Sequence, residues 1–285
     1  MAQGIQGRPG GRAEKEDGGI KMKGIIFYYS GSGNTRLVCR YIAARVPQTV
    51  FDLYDVQKNT PVDLSRYSLA GFAASAFYWG IPPLMRRFIG RLEKQKDMPA
   101  FIFNTFGMMS GRTLKVLEQA VRARGFRVVA GSTLHTPENY PPLISRGWGN
   151  EEAPSDQELQ RFSAFLSGLQ KAADMIREGR VPPVYHARTG FLMSLLPIPA
   201  RRMALNAVKG LAADRALCKK CGVCVSLCDR KAVSLDPFPV FNRNFCEGCW
   251  NCFNHCPEKA IHTDKVSGKY QYKEPLASFK DKFKV

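Results

Sequence analysis

Hydrophobic and polar positions alternate in blocks that set out a repeated strand–helix rhythm over the first two thirds of the chain. Ile25, Ile26, Phe27, Tyr28 and Tyr29 follow one another without a polar break. That pattern predicts a central parallel strand buried on both faces. The run stops at Ser30-Gly31-Ser32-Gly33-Asn34-Thr35, and Leu37, Val38, Tyr41 and Ile42 then recur at helical spacing. Asn34 or Thr35 is the expected cap of that helix. Further strands are predicted over residues 49–54, 69–78, 100–106 and 126–131, and helices over 84–96, 113–124 and 158–178. In the last of these Leu159, Phe162, Phe165, Leu166, Leu169, Ala173 and Ile176 form one apolar face. The expected fold class is α/β, with five parallel strands and helices on both faces.

The turn between the first strand and first helix carries chemistry. Glycines let the backbone approach a ligand, hydroxyls donate hydrogen bonds, and the unpaired N–H groups of a helix N-terminus meet a phosphate dianion. No Lys follows the glycines, so it is not a Walker loop, and Gly31-x-Gly33 stops short of a dinucleotide fingerprint. An ordinary polar turn is the bland alternative. The segment ending in Gly33-Asn34-Thr35 resembles the FMN phosphate loop of flavodoxins. The resemblance implies a flavodoxin-like doubly wound sheet of order 2-1-3-4-5, with the ligand outside the carboxyl ends of the strands. It also implies FMN contacts from Ser30, Ser32, Gly33, Asn34 and Thr35.

Two more loops reach the same crevice. Tyr78-Trp79-Gly80 closes the third strand, where flavodoxins commonly present an aromatic ring to the isoalloxazine; Trp79 is the first choice and Tyr78 the second. Thr105, Phe106, Gly107 and Ser110 lie after the fourth strand, with backbone N–H groups and a hydroxyl for the flavin pyrimidine edge. Met108 and Met109 read equally well as packing residues. Residues 132–154 form a long connection containing His135 and Tyr140. Either is a candidate proton donor, with a structural role the alternative.

All but Cys39 of the nine cysteines fall in two runs of the same spacing, Cys218/Cys221/Cys224/Cys228 and Cys246/Cys249/Cys252/Cys256. Three closely spaced thiolates and a fourth beyond them suit a cubane cluster, whereas zinc sites use separated pairs and disulfides belong to oxidising compartments. The arrangement resembles a bacterial-type ferredoxin with two [4Fe-4S] clusters. Crossed ligation is implied by that resemblance: Cys218, Cys221, Cys224 and Cys256 on one cluster, and Cys246, Cys249, Cys252 and Cys228 on the other. Pro257 follows Cys256 as that family expects, but Asp229 follows Cys228. Such clusters imply a reducing cytoplasm.

The length of 285 residues exceeds either unit alone. The expected organisation is a disordered tail or extension (1–21), a flavodoxin-like FMN domain (22–179), a packed linker (180–212), a small α+β ferredoxin-like domain (213–264) and a C-terminal extension (265–285). Phe191 to Pro199 is strongly apolar but too short to span a bilayer, so an interdomain strap or an interfacial segment is expected. A formal charge of +18 without an aromatic-interleaved groove points to an acidic redox protein such as ferredoxin or flavodoxin, not to nucleic acid. Together the motifs resemble the flavodoxin/ferredoxin fusion proteins of anaerobic prokaryotes. The resemblance implies an electron-transfer iron-sulfur flavoprotein coupling one-electron carriers to a two-electron acceptor. The alternative is a flavin-dependent oxidoreductase that reduces a small organic substrate or quinone with electrons supplied through the clusters.

Overall fold

In the computed structural model, described for residues 14–16, 19–58, 60–190 and 200–285, the predicted central strand is β2 (Gly19–Tyr29). A short β1 (Glu14–Glu16) pairs with its start in antiparallel fashion. Parallel partners are β3 (Thr49–Asp55) on one side and β4 (Leu69–Ser75) on the other, followed by β5 (Met98–Phe106) and β6 (Phe126–His135). The order β3-β2-β4-β5-β6 is the flavodoxin-like doubly wound order 2-1-3-4-5. The apolar strap of residues 191–199 and the tail before residue 14 lie outside the described residues.

The uninterrupted apolar run of β2 works because both its faces are covered. Ile25, Phe27 and Tyr29 enter a core formed with α2 (Pro83–Arg91) and α3 (Thr113–Arg122). Ile26 and Tyr28 enter the opposite core with α1 (Asn34–Ala44) and α5 (Asp156–Arg177), α4 (Pro141–Ile144) being a short turn between β6 and α5. A full capping box starts α5: Ser155 accepts from the Glu158 N–H, and Glu158 accepts from the Ser155 N–H. Gly71 at the centre of β4 is required by packing, since a Cβ there would overlap the Phe101 ring of β5.

Two boundaries differ from the sequence expectation. β4 ends at Ser75, because Phe77 and Gly80 exchange backbone hydrogen bonds (2.9 and 3.0 Å) around a tight turn at Tyr78 and Trp79. β6 runs on to His135, because pairing with β5 continues past an irregularity at Ala100/Phe101 as far as Phe106 opposite His135. The long connection therefore begins four residues later than residue 132 would place it, and its first part is strand.

After α6 (Ala200–Ala207) comes a small α+β module. It holds β7 (Ala212–Ala213) against β10 (Ile261–His262), β8 (Val233–Leu235) against β9 (Pro239–Phe241), and the one-turn helices α7 (Val223–Ser226) and α8 (Asn251–Asn254). Its core contains Val208, Val233, Trp250, Phe253, Ile261 and Val266, with Tyr78 and Tyr140 of the larger domain packed against it. The chain then returns to the larger domain through α9 (Ala277–Lys282). Phe279 and Phe283 are fully buried there, and Phe283 meets Tyr41 edge-on at 5.2 Å. Among the described residues no helix is long and apolar enough to cross a membrane.

This return makes the C-terminal segment part of the larger domain's core. Replacing Phe279 by Ala is expected to destabilise that domain by about 3–5 kcal/mol, the range for an aromatic truncated in a packed core. Urea unfolding of the full chain followed by tryptophan fluorescence measures it, and a loss below about 1 kcal/mol would show that α9 contributes little.

Candidate functional site

Three strands deliver their carboxyl-terminal loops to one cavity of about 510 Å³, a volume suited to a cofactor-sized ligand. β2 supplies Ser30–Thr35, β4 supplies Ser75–Trp79, and β5 supplies Thr105–Met109; Thr136–Tyr140 after β6 closes one side. The expected cap of α1 is corrected. Gly33, at φ 96°, occupies the N-cap, and the side-chain acceptor for the first turn comes from the loop before it, Ser30 Oγ taking the Arg36 N–H. Asn34 and Thr35 are buried and committed elsewhere: Asn34 Nδ2 donates to Pro137 O at 3.1 Å, and the Thr35 and Thr105 hydroxyls bond at 2.8 Å. The first turn of α1 carries no acidic residue. The first two N–H groups of α1, at Asn34 and Thr35, have no acceptor among the described residues, the condition for holding an anion.

Close packing explains the loop's glycines. A Cβ at Gly31 would lie 2.7 Å from Asn251 Oδ1, and one at Gly33 would lie 2.8 Å from Pro275 Cδ. Ser30 Oγ accepts the Arg36 N–H at 3.2 Å, and Ser32 Oγ accepts from Asn139 Nδ2 at 2.7 Å. The donor set fits FMN: a hydroxyl and amide cradle at one end, aromatic walls at Tyr78, Trp79 and Phe106, and polar backbone after β5.

Most of the sequence-predicted FMN residues line this cavity. Ser30, Ser32, Asn34, Thr35, Tyr78, Trp79, Thr105, Phe106 and Gly107 do so. Gly33, Gly80 and Ser110 stand behind it: Gly80 closes the tight turn, and Ser110 Oγ accepts from Asn104 Nδ2 at 3.1 Å. Tyr78 and Trp79 have φ of 46° and 60°. Bulky residues rarely adopt that conformation, which costs on the order of 1–3 kcal/mol each and is found where a site fixes it. Of the candidate proton donors, Tyr140 lines the cavity. His135 does not: its ring stacks on Phe106 with centroids 5.1 Å apart, and its Nδ1 lies 3.3 Å from Glu158 Oε1.

The roof of the cavity comes from the small module, which sequence reasoning did not place there. Cys249, Trp250, Asn251 and Asn254 all line it. Asn251 Nδ2 reaches the Tyr29 hydroxyl at 3.4 Å, Asn254 Nδ2 donates to Asn139 O at 3.1 Å, and Tyr272 O–H donates to Asn34 Oδ1 at 2.9 Å. Arg87 of α2 bridges the two parts by pairing with Asp229 at 2.8 Å and with Glu247. Asp229, the departure noted after Cys228, is therefore an interdomain ion-pair partner.

Glu138 is the other residue that sequence reasoning missed. It is buried, its Oε1 accepts the N–H groups of Asn139 and Tyr140 at 2.9 and 3.0 Å, and Gly107 lies so close that a Cβ would meet its carboxyl at 2.5 Å. Burial pushes its carboxyl above the usual range, against the lowering effect of the backbone donors at Tyr140, Asn139 and Met108.

The cysteines require a correction. Cys218, Cys221, Cys224 and Cys256 border one small cavity of about 20 Å³, and Cys228, Cys246, Cys249 and Cys252 border another of about 30 Å³. Among the described residues, however, no group of three or more His, Cys, Asp or Glu side chains is placed to hold a metal ion. On that finding the two [4Fe-4S] clusters, the iron-sulfur fusion-protein resemblance and electron transfer through clusters are not supported. A flavodoxin-like FMN site is what remains supported. Burial pushes the Cys249 thiol up to about 12 and Cys252 well above its ordinary value.

Residues 25–136 match the model of a family described as flavodoxin domain. An uncharacterized protein of Methanocaldococcus jannaschii is 23% identical over 153 residues, covering 53% of this chain and 99% of that protein. Among solved structures, a flavodoxin from the domain Archaea is 16% identical with a TM-score of 0.39, covering 55% of this chain and 99% of its own. A flavodoxin, WrbA-like protein from Agrobacterium tumefaciens is 15% identical with a TM-score of 0.40, covering 55% and 99%.

A raised carboxyl pKa makes the folded chain hold a proton that the unfolded chain has released. Stability therefore falls as pH rises from the unfolded Glu value of about 4.3 through the higher folded one. Glu138→Gln keeps an acceptor for both N–H groups and should remove this descent. Urea midpoints of the two proteins between about pH 4 and 7 test it; parallel curves would show that folding leaves the Glu138 pKa unshifted.

Proposed function

We propose that this chain is an FMN-binding flavoprotein with a redox role, its flavin held between the β2, β4 and β5 loops and roofed by the small module. The observation that carries the reading is the Ser30–Thr35 cradle at the start of α1, opening into a cavity with aromatic walls. When bound, FMN supplies one- or two-electron redox chemistry at its isoalloxazine ring. The chain's own part is to bind, orient and shield. Ser30, Ser32 and the first N–H groups of α1 hold the phosphate end, and Tyr78 and Trp79, fixed in a strained turn, set the plane available to the ring. Asn251, Asn254 and Tyr272 exclude water from above. A chain of net charge +18 also favours an acidic redox protein as its electron-exchange partner.

Ser30→Asp tests the cradle. The new carboxylate retains an acceptor for the Arg36 N–H but places negative charge where the phosphate would lie. FMN affinity, measured by quenching of flavin fluorescence, is expected to fall by more than about tenfold, or about 1.4 kcal/mol, while riboflavin affinity changes by less than about twofold. Equal losses for both flavins, or no flavin binding by the parent protein, would defeat the reading. Electron exchange with an acidic flavodoxin, followed by stopped-flow absorbance, should slow as salt rises from about 0.05 to 0.3 M. A salt-independent rate would remove the charge argument.

A further inference from the structure

Beside the flavin cradle, the same cavity has a second wall that the FMN reading leaves unused. Tyr78 O–H donates to the Tyr140 hydroxyl at 3.2 Å, so Tyr140 is the acceptor of that bond and its own proton has no acceptor among the described residues. The Tyr140 ring meets Trp250 edge-on at 5.6 Å. Trp250 is 5% exposed, and its indole N–H is buried without a hydrogen-bond partner. Its nearest acceptor is the Tyr78 hydroxyl, to which the indole N–H donates weakly and so opposes the rise in that group's pKa, but the geometry falls short of a full hydrogen bond. A buried N–H left without a partner is costly, on the order of 1–3 kcal/mol, and marks a place where an acceptor belongs.

Charge narrows the choice of ligand. Arg146 also lines this cavity and lies close enough to Tyr140 to act on its hydroxyl electrostatically, and it forms no ion pair with any described residue. Three carboxylates line the cavity: Asp229 and Glu247 are both paired with Arg87, Glu247 also lies 3.4 Å from Arg230, and the buried Glu138 accepts the N–H groups of Asn139 and Tyr140. Arg146 is the one cationic side chain among the described residues that line the cavity. Leu143 and Met203 complete an otherwise apolar and aromatic surface. Aromatic walls favour a flat molecule, the Tyr140 and Trp250 donors favour carbonyl oxygen, and Arg146 favours an anionic substituent.

We propose that Tyr140, Trp250 and Arg146 form a binding subsite, next to the flavin, for a planar, carbonyl-bearing organic anion. The subsite rests on the FMN reading for its role, but its residues are separate from the phosphate cradle. Tyr140 donates to the carbonyl, Trp250 provides the second donor at the wall, and Arg146 holds the charged group. Burial raises the Tyr140 hydroxyl above its ordinary pKa, against the lowering effect of the Tyr78 bond, so it carries its proton at neutral pH.

The probe is 1,4-naphthoquinone-2-sulfonate, with neutral 1,4-naphthoquinone as its uncharged counterpart. Binding is followed in the full chain, with and without FMN, by isothermal titration and by the indole N–H resonance of Trp250, assigned with Trp250→Phe. Saturable binding of the sulfonate with a shift of that resonance is expected. Tyr140→Phe, which keeps the ring against Trp250, and Arg146→Ala, which alters an exposed side chain, should each weaken it by about tenfold or more. Arg146→Ala should leave the neutral quinone within about twofold. FMN affinity, titrated separately, should be unchanged in both variants. If the sulfonate does not bind, or binds both variants as it binds the parent, the subsite is wrong even where FMN binds normally. If it only competes with FMN, it occupies the flavin cradle and the subsite is again wrong. Failure of FMN to bind, with probe binding and its variant dependence intact, would overturn the flavin reading and leave the subsite standing.

Discussion

The arrangement of the site depends on one side-chain amide. Asn34 donates from Nδ2 to Pro137 O and accepts at Oδ1 from the Tyr272 hydroxyl, so a single buried residue ties the β2 loop to the connection after β6 and to the C-terminal segment. Because both ends are engaged, Asn34 cannot cap its own helix, and Gly33 makes the turn instead. The Arg36 N–H of the first turn is met by the Ser30 hydroxyl instead. Breaking either bond would strand a buried polar atom, which costs more than the bond itself contributes.

From Asn34 the connection continues outward. Tyr272 N–H donates to Asn254 Oδ1, and Asn254 in turn donates to the carbonyl of Asn139, whose own side chain bonds Ser32. The small module is thus attached through the cradle as well as through the Arg87 ion pairs at the far side. Two attachments on opposite sides of the cavity hold the roof in one orientation. Arg87 also offsets Asp229 and Glu247 on the cavity wall, where Arg146 is the cationic side chain among the described residues.

Strands were legible in the sequence where burial was two-sided. Ile25 to Tyr29 and residues 69–74 carry no polar side chain because neither face meets water, and Ala100 to Phe103 of β5 repeats the pattern over a shorter run. The end of β6 was not legible, because Ser132 and Thr133 are only half buried and read as loop. The turn at Tyr78 and Trp79 was hidden for a different reason: sequence rules assign positive φ to Gly, Asn or Asp, and here two aromatics adopt it under tertiary constraint. The cradle was readable as a motif, but its roof was not. Asn251, Asn254 and Tyr272 act across the whole chain through hydrogen bonds that leave no local period.

The cysteine runs show how a one-dimensional signature and a three-dimensional site can part. Spacing alone implied two clusters, whereas the described residues place no three suitable side chains to hold a metal ion. What the structure assigns to this region is architectural. Its cysteine-bearing turns position Trp250 at φ 64°, at the start of α8, where the indole faces Tyr140 and the following Asn251 closes over Gly31. A residue forced into that conformation at a helix start directs its side chain away from the helix and toward the neighbouring domain. The strained turns at Tyr78–Trp79 and at Trp250 therefore meet at one wall of the cavity, where Tyr78 and Trp250 both pack on Tyr140. Two independent costs of that kind at one cavity are sustained by the packing on either side of it, and their shared location is why the wall between them is built for recognition and not only for closure.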